Sequence, residues 1–132
     1  MSEPKVNPNG TLKGKVAVVT GASRGIGEAI GARLAMEGAK VVVSARTAEA
    51  GESRLPGTLH DTVDRIRGAG GEATFIRADL AHAQDRERLI EEAVKTYGPV
   101  DILVNNAAIT YFIPVLEFPE KRFKLMMEVQ VY

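Results

Sequence analysis

The sequence predicts an α/β fold, a doubly wound parallel sheet with helices on both faces, and three observations lead to it. Short, mostly apolar and β-branched runs alternate along the chain with stretches that repeat apolar residues at helical spacing. The resulting order is strand, helix, strand, helix, strand, helix, strand. The apolar runs are continuous rather than alternating, which is typical of strands buried on both faces of a parallel sheet.

Four runs are predicted to be the strands. They are KVAVVT at 15–20, KVVVSA at 40–45, ATFIRA at 73–78 and DILVNN at 101–106. The stretch at 46–58 is longer than a usual connection from strand to helix and contains Gly, Ser and Pro. We expect it to be a mobile loop at the carboxyl edge of the sheet.

Three helices are predicted between and after these strands, each from an apolar stripe at helical spacing. The first follows the glycines behind the first strand, the second precedes GAGG, and the third ends at Gly98-Pro99. The stripes consist of Ile26, Ile30 and Leu34 in the first helix, of Leu59, Val63 and Ile66 in the second, and of Leu89, Ile90, Ala93, Val94 and Tyr97 in the third.

Composition favours one globular domain and disfavours several function classes. The 132 residues carry 17 basic and 17 acidic side chains, so no overall field favours nucleic acid or an anionic membrane. Without cysteine there is no disulfide or thiolate chemistry, and we expect a cytoplasmic protein. No apolar run is long enough for a membrane span. Residues 1–11 are expected to be a polar tail and residues 12–132 the domain.

The stretch TGASRGIG at 20–27 is the first motif that indicates a chemistry. A strand that enters a helix through a glycine-rich turn directs free backbone N–H groups and the helix dipole at one point, which makes an anion site. The spacing of Gly21, Gly25 and Gly27 differs from the commonest dinucleotide fingerprint, G-x-G-x-x-G. Taken alone, the motif is also compatible with a tight strand–helix turn.

Other phosphate-binding loops fit this stretch less well. A P-loop needs a lysine after its last glycine, whereas Glu28 stands here, which disfavours nucleoside triphosphate hydrolysis. An NAD-binding or methyltransferase-like site would place a carboxylate at the end of the second strand to bind ribose hydroxyls. That position holds Ser44, Ala45 and Arg46. A flavin or S-adenosylmethionine enzyme is therefore the weaker of the rival interpretations.

With two further motifs, the sequence resembles the amino-terminal half of a short-chain dehydrogenase/reductase. TGASRGIG matches the family's T-G-x-x-x-G-[IL]-G loop, ADL at 78–80 its adenine-contacting Asp, and NNAA at 105–108 its N-N-A-G, with Ala108 replacing the glycine. The motifs occur in the family's order over residues 14 to about 131. The resemblance implies half of a Rossmann-type fold with sheet order 3-2-1-4, and reversible hydride transfer between NADP and an alcohol or carbonyl.

The resemblance also implies which residues contact the cofactor. Thr20 would hydrogen-bond the NNA segment and tie the first strand to the fourth. Asp79 would bind the adenine amino group, although an Asp here could equally cap the next helix, and Ile26 could equally be a core residue. The implied cofactor-binding residues are Thr20, Gly21, Ser23, Arg24, Gly25, Ile26, Gly27, Arg46, Asp79, Leu80, Asn105 and Ala107.

Two arginines bear on the choice of cofactor. Arg24 lies inside the glycine loop, and Arg46 directly follows the second strand, where the adenine ribose sits in this fold. An arginine there accommodates a 2′-phosphate, whereas an acid would bind a free 2′-hydroxyl. The resemblance gives both residues this role and predicts NADP(H) over NAD(H).

The catalytic residues that the family uses are absent from this chain. The family's Ser and Tyr-x-x-x-Lys would lie beyond it, since Tyr97 is followed at this spacing by Asp101 and Tyr111 by Val115. Gln130 stands where the family usually has an Asn that orders a water. The alternative function is a nucleotide-binding module without catalysis.

Two expectations concern metals and partners. His60 and His82 have no clustered ligand partners, so we expect surface positions and no metal site. A fourth helix is predicted in EKRFKLMMEVQVY at 120–132. It is apolar nearly all round, and by resemblance it would contact both its own sheet and a partner subunit. We therefore expect a homo-oligomer.

Overall fold

The computed structural model of the chain describes residues 5–46 and 58–132. Residues 47–57 of the expected loop at 46–58 therefore lie outside the described residues. Four parallel strands form one sheet in the order β3-β2-β1-β4, which confirms the Rossmann-type prediction. The strands are β1 (Val16–Thr20), β2 (Lys40–Ala45), β3 (Glu72–Arg77) and β4 (Ile102–Val104).

Helices lie on both faces of this sheet. Their bounds are α1 (Gly25–Met36), α2 (Leu59–Gly68), α3 (Ala83–Tyr97) and α4 (Glu120–Gln130), with a short 3₁₀ turn at Val115–Glu117. Because side chains alternate along a strand, Val41 and Val43 of β2 pack with α1 and α2, whereas Val42 packs with α3. Both faces of β1 and β2 are buried, as their continuous apolar runs predict.

The first helix packs on the sheet through small residues, and one prediction about it is wrong. Its buried positions are Gly27, Gly31, Ala32, Ala35 and Met36. Ile26 falls on the opposite side of the helix from this face and is 74% exposed, so it is not a core residue. The four-residue spacing of Ile26, Ile30 and Leu34 marks the flank of the helix, while the small residues allow its close approach to the sheet.

The described part of the predicted polar tail contacts the end of α1. Asn7 N donates to Met36 O at 2.7 Å and Leu12 N donates to Glu37 O at 3.0 Å. The Asn7 side chain also donates to the Glu37 carboxylate. These bonds satisfy carbonyl groups that the helix end leaves without intrahelical partners.

The opposite end of the sheet is less well covered. β4 is an edge strand that pairs only with β1 among the described strands, and Leu103 is 51% exposed. No residue of α4 is buried, and Phe123 and Leu125 of this helix are exposed. In the part of the chain that the structure describes, no helix combines the length and the apolar character that crossing a membrane requires.

Candidate functional site

A cavity of about 280 Å³ lies at the carboxyl ends of the strands. In open α/β sheets this edge is where ligands bind, because the connections that leave the strands form a crevice there. The lining residues come from all four strand ends and from the end of α4. They are Thr20, Gly21, Ser23, Arg24, Ser44, Ala45, Arg46, Ala78, Asp79, Leu80, Asn106, Ala107, Ala108, Ile109 and Val129.

The glycine loop adopts a backbone that only glycine accepts without cost. Gly21 and Gly25 have φ of +65° and +60°, in the left-handed region. A Cβ at Gly21 would lie 2.9 Å from Ala107 Cα, and a Cβ at Gly27 would collide with the Gly21 carbonyl oxygen. The loop therefore brings β1, α1 and the segment after β4 closer together than any side chain would permit.

The first turn of α1 leaves its backbone donors available. Arg24 is the N-cap residue and its side chain makes no capping hydrogen bond. The first helical bond runs from Glu28 N to Arg24 O. The N–H groups of Gly25, Ile26 and Gly27 therefore have no intrahelical partner, and the positive end of the helix dipole lies beside the cavity. This arrangement suits an anion such as a phosphate.

Thr20 ties the end of β1 to the segment that follows β4. Its hydroxyl donates to Val104 O at 3.3 Å and accepts from the N–H groups of Asn106 and Ala107 at 3.2 and 3.1 Å. This confirms the tie that the resemblance implied. The Asn106 side chain adds a second link, since its Nδ2 donates to Gly21 O at 3.1 Å.

Asp79 is held in place by its neighbours at the end of β3. Its carboxylate accepts from Ala81 N at 3.0 Å, and its own N–H donates to Asp85 Oδ2 at 2.7 Å. This backbone hydrogen bond is the main reason why the pKa of Asp85 is lowered. His82 is the N-cap residue of α3, so Asp79 does not cap that helix, and His82 Nε2 lies 3.6 Å from Asp79 Oδ2.

The charges around the cavity are unequal. Arg24, partly buried, and Arg46, exposed, both line the cavity, and Asp79 is the only acidic residue among the lining residues described. Residues 44–46, the described residues at the end of β2, include no carboxylate, and Ala45 is partly buried in the cluster beneath α1 and α2. The cavity is therefore electrostatically suited to a ligand with several negative charges and one hydrogen-bond donor.

The structure places eight of the twelve predicted cofactor-binding residues in the cavity lining. The other four lie elsewhere: Gly25, Ile26 and Gly27 form the first turn of α1, and Asn105 lines a second cavity of about 460 Å³ between α3, β4 and α4. Sequence reasoning missed Asn106 as the residue that anchors the glycine loop. It also missed Ser44 and Val129, for which only the position at a strand end or helix end gave a signal.

Gln130 takes part in the same assembly from the end of α4. Its Oε1 accepts a hydrogen bond from Ile109 N at 2.8 Å, so the longer amide is used to hold the segment after β4. Arg86 links the same helix to the end of β3, since it donates to Leu80 O at 2.6 Å and pairs with Glu128. Within residues 5–46 and 58–132, no group of three or more His, Cys, Asp and Glu side chains could hold a metal ion.

Comparison with known proteins agrees with the family resemblance seen in the sequence. A family model described as short chain dehydrogenase matches residues 15–132. Hydroxysteroid dehydrogenase-like protein 2 of Bos taurus is 42% identical over 123 residues, which is 92% of this chain and 29% of that protein. An uncharacterized oxidoreductase of Methylorubrum extorquens is 41% identical over 120 residues, which is 91% of this chain and 46% of that protein.

Solved structures show the same likeness. A metagenomic short-chain oxidoreductase in complex with NADP has a TM-score of 0.80 at 37% identity, covering 89% of this chain and 50% of that one. A short chain dehydrogenase from Mycobacterium thermoresistibile has a TM-score of 0.84 at 39% identity, covering 92% of this chain and 43% of that one. The chain thus spans half or less of the length of each of these proteins.

Proposed function

This chain belongs to the short-chain dehydrogenase family, and on that premise we propose that it binds NADP(H) for an oxidoreductase that interconverts an alcohol and a carbonyl compound. Residues 12–132 would be the dinucleotide-binding segment of that enzyme. The observation that carries the proposal is the uncapped first turn of α1, which opens beside a cavity that holds two arginines and Asp79.

The described residues fit such a cofactor. Gly21 and Gly27 leave no room for side chains of their own, so the backbone can approach a pyrophosphate closely. The N–H groups of residues 25–27 would bind the phosphates. Asp79, whose second carboxylate oxygen faces only the exposed His82, would accept a hydrogen bond from the adenine amino group. The backbone of Leu80, the ribose contacts of Ser23, Asn105 and Ala107, and the tie made by Thr20 complete the proposed set.

When bound, the nicotinamide ring supplies the hydride acceptor or donor of the reaction. The chain's own contribution is to orient that cofactor by its adenosine and phosphate groups. It carries no Tyr-x-x-x-Lys pair, so it has no proton donor of the family's kind. We accordingly expect the 132 residues to bind the cofactor and to catalyse no reduction of carbonyl compounds.

We propose further that Arg46, together with Arg24, selects NADP(H) over NAD(H). Arg46 is exposed at the end of β2, beside the cavity and without a carboxylate at position 45. A hydrogen bond to a charged group contributes about 1.5–3 kcal/mol. Loss of one such bond to a 2′-phosphate would weaken binding by about tenfold or more.

Equilibrium titration with NADPH and NADH tests this selection. The variants are Arg46→Ala and, as a matched control, Arg33→Ala, which removes an exposed arginine from the far end of α1. We expect the wild type and Arg33→Ala to prefer NADPH, and Arg46→Ala to lose affinity for NADPH but not for NADH. Equal affinities of the wild type for the two cofactors would contradict the proposal.

A binding module without catalysis is the second candidate function. The two candidates share the cofactor site and differ in chemistry. Steady oxidation of NADPH by the purified chain with a panel of carbonyl substrates would show catalysis and would contradict our expectation for these residues. Cofactor binding without turnover is compatible with both candidates.

We also propose that the chain associates with itself. The outer edge of β4 pairs with no other strand among the residues that the structure describes, and α4 exposes Phe123 and Leu125. Both features favour contact with another protein surface. Sedimentation at several concentrations, with and without cofactor, should show association. A monomer at high concentration that unfolds cooperatively would contradict this.

A further inference from the structure

Among the buried polar side chains that the structure describes, that of Ser44 is the exception that lacks a hydrogen-bond partner. It lies at the end of the central strand β2 with 1% of its surface exposed, and it lines the cavity. Its Oγ has no hydrogen-bond partner among residues 5–46 and 58–132. A buried hydroxyl without a partner costs free energy, and native structures contain few of them.

The two residues next to Ser44 on the adjacent strands do not supply that partner. The residues paired with it across the sheet are Thr20 and Ile76. The single proton of the Thr20 hydroxyl goes to Val104 O, and both of its acceptor positions are used by the N–H groups of Asn106 and Ala107. Ile76 is apolar. A ligand in the cavity, which Ser44 lines, would supply the partner that these two residues do not.

The position of Ser44 indicates which part of a ligand it meets. Since side chains alternate along β2, Ser44 shares a face with Val42, whose cluster includes Ala78 and Leu80. The helix α1, whose first turn is the anion site, packs on the opposite face with Val41 and Val43. Ser44 is thus on the side of Asp79 and Leu80 rather than on the side of the phosphate-binding turn.

We propose that the Ser44 hydroxyl is a ligand-binding group that donates a hydrogen bond to a ring nitrogen of adenine. The inference rests on the proposed function and adds a residue to its adenine end. Ser44 and Asp79 then bind the base from one side of the sheet, while α1 binds the phosphates from the other.

Ser44→Ala tests the proposal through stability and binding together. The alanine removes a hydroxyl that has no partner, so the unliganded variant should melt no lower than the wild type. Thr62→Val is the matched control, because the equally buried Thr62 hydroxyl donates to Ala22 O at 2.8 Å. That variant should melt lower.

Binding is measured with AMP, with adenosine 2′,5′-bisphosphate and with ribose 5-phosphate. We expect Ser44→Ala to weaken binding of the first two by the same factor, roughly three- to tenfold, and to leave the third unchanged. A loss confined to the bisphosphate would overturn the proposal, because Ser44 would then contact a phosphate. Melting as low as Thr62→Val would overturn it as well, because Ser44 would then be structural.

The outcomes also separate this inference from the proposed function. If the wild type binds the adenine nucleotides and Ser44→Ala binds them equally well, only the role of Ser44 is wrong. If the wild type binds none of them at millimolar concentration, the proposed function is wrong and the role of Ser44 falls with it.

Discussion

The first turns of α1 and α2 differ in how their backbone N–H groups are satisfied. Each helix follows a buried strand of the sheet, and each starts with backbone N–H groups that the helix cannot satisfy. At α2, Thr58 Oγ1 accepts from Asp61 N at 3.0 Å while Asp61 Oδ2 accepts from Thr58 N at 3.1 Å, which is a complete capping box. At α1 there is no side-chain cap, and three glycines surround the turn.

The difference separates a structural helix start from a binding one. The Thr58 box satisfies the N–H groups of Thr58 and Asp61 within the chain, and the cap supports α2. The first turn of α1 keeps its donors free beside a cavity with two arginines. The chain thus lacks a side-chain cap at the helix start that we propose as the anion site and has one at the start of α2.

The largest effect is expected from Gly27→Ala, which would break the α1 arrangement. A Cβ there would collide with Gly21 O and come within 2.5 Å of Asn106 Nδ2, so the glycine loop would have to move away from the segment after β4. We expect a loss of about 3 kcal/mol in the free energy of unfolding and cofactor binding weakened by at least about tenfold. Chemical denaturation and cofactor titration would measure both.

Gly68→Ala is the control for that change. Gly68 is the last residue of α2, and a Cβ there would meet nothing within 4 Å. The free energy of unfolding of this variant should rise by about 0.5 kcal/mol, and its affinity for the cofactor should equal that of the wild type. If Gly27→Ala were as stable and as competent as Gly68→Ala, the close approach at the glycine loop would have no functional importance.

A smaller effect on stability is expected from a substitution at the start of α2, and it tests whether this helix start differs from that of α1 in ligand binding. Thr58→Ala removes the cap and should lower the free energy of unfolding by about 1 kcal/mol. The affinity for NADPH should stay the same, because the α2 start binds no ligand in this account. Denaturation and titration of the same preparation would check it. Weakened binding at unchanged stability would contradict the division of roles.

The smallest effect on stability is expected at the first turn of α3. This helix has no side-chain cap, but a carboxylate in its first turn accepts a backbone hydrogen bond. Asp85 there accepts from Asp79 N and so holds the end of β3, and this hydrogen bond lowers the pKa of Asp85. Because the folded-state pKa is the lower one, this contribution to stability is complete above the pKa of Asp85 in the unfolded chain. It is lost as pH falls through the pKa of the folded chain.

Unfolding measured from pH 7 to pH 3 for the wild type and Asp85→Asn would show this dependence. The variant should be slightly less stable at neutral pH, and the two curves should converge in acid. Parallel curves over the whole range would mean that the Asp85 carboxylate does not hold Asp79.

The sequence was enough to predict the strands and the site's glycine loop, because these depend on local patterns, whereas the sheet order was predicted from the family resemblance. Apolar runs such as VVV in β2 and glycines behind β1 need no knowledge of distant contacts. Residues such as Ile26 could not be placed correctly, since α1 packs through small residues and spacing alone does not show which face is buried. Asn106 and Ser44 depend on contacts between segments far apart in the chain.

The capping of the helices could not be predicted from the sequence either. The role of Thr58 depends on which residue begins the helix, and a boundary error of one or two residues hides it. The absence of a cap at Arg24 was equally invisible, although the glycines beside it were not. What the sequence could not supply was therefore the pairing of donors and acceptors, which is the property that distinguishes the two helix starts.

The most direct test of the central claim is an NMR titration of the ¹⁵N-labelled chain with adenosine 2′,5′-bisphosphate and with NADP+. The account predicts that the amide resonances of Gly25, Ile26 and Gly27 shift with ligand, most strongly with the pyrophosphate of NADP+. The amides of Leu59, His60 and Asp61 at the capped start of α2 should not move. Equal shifts at the two helix starts, or none at residues 25–27 with bound NADP+, would contradict the claim that the uncapped turn is the anion site.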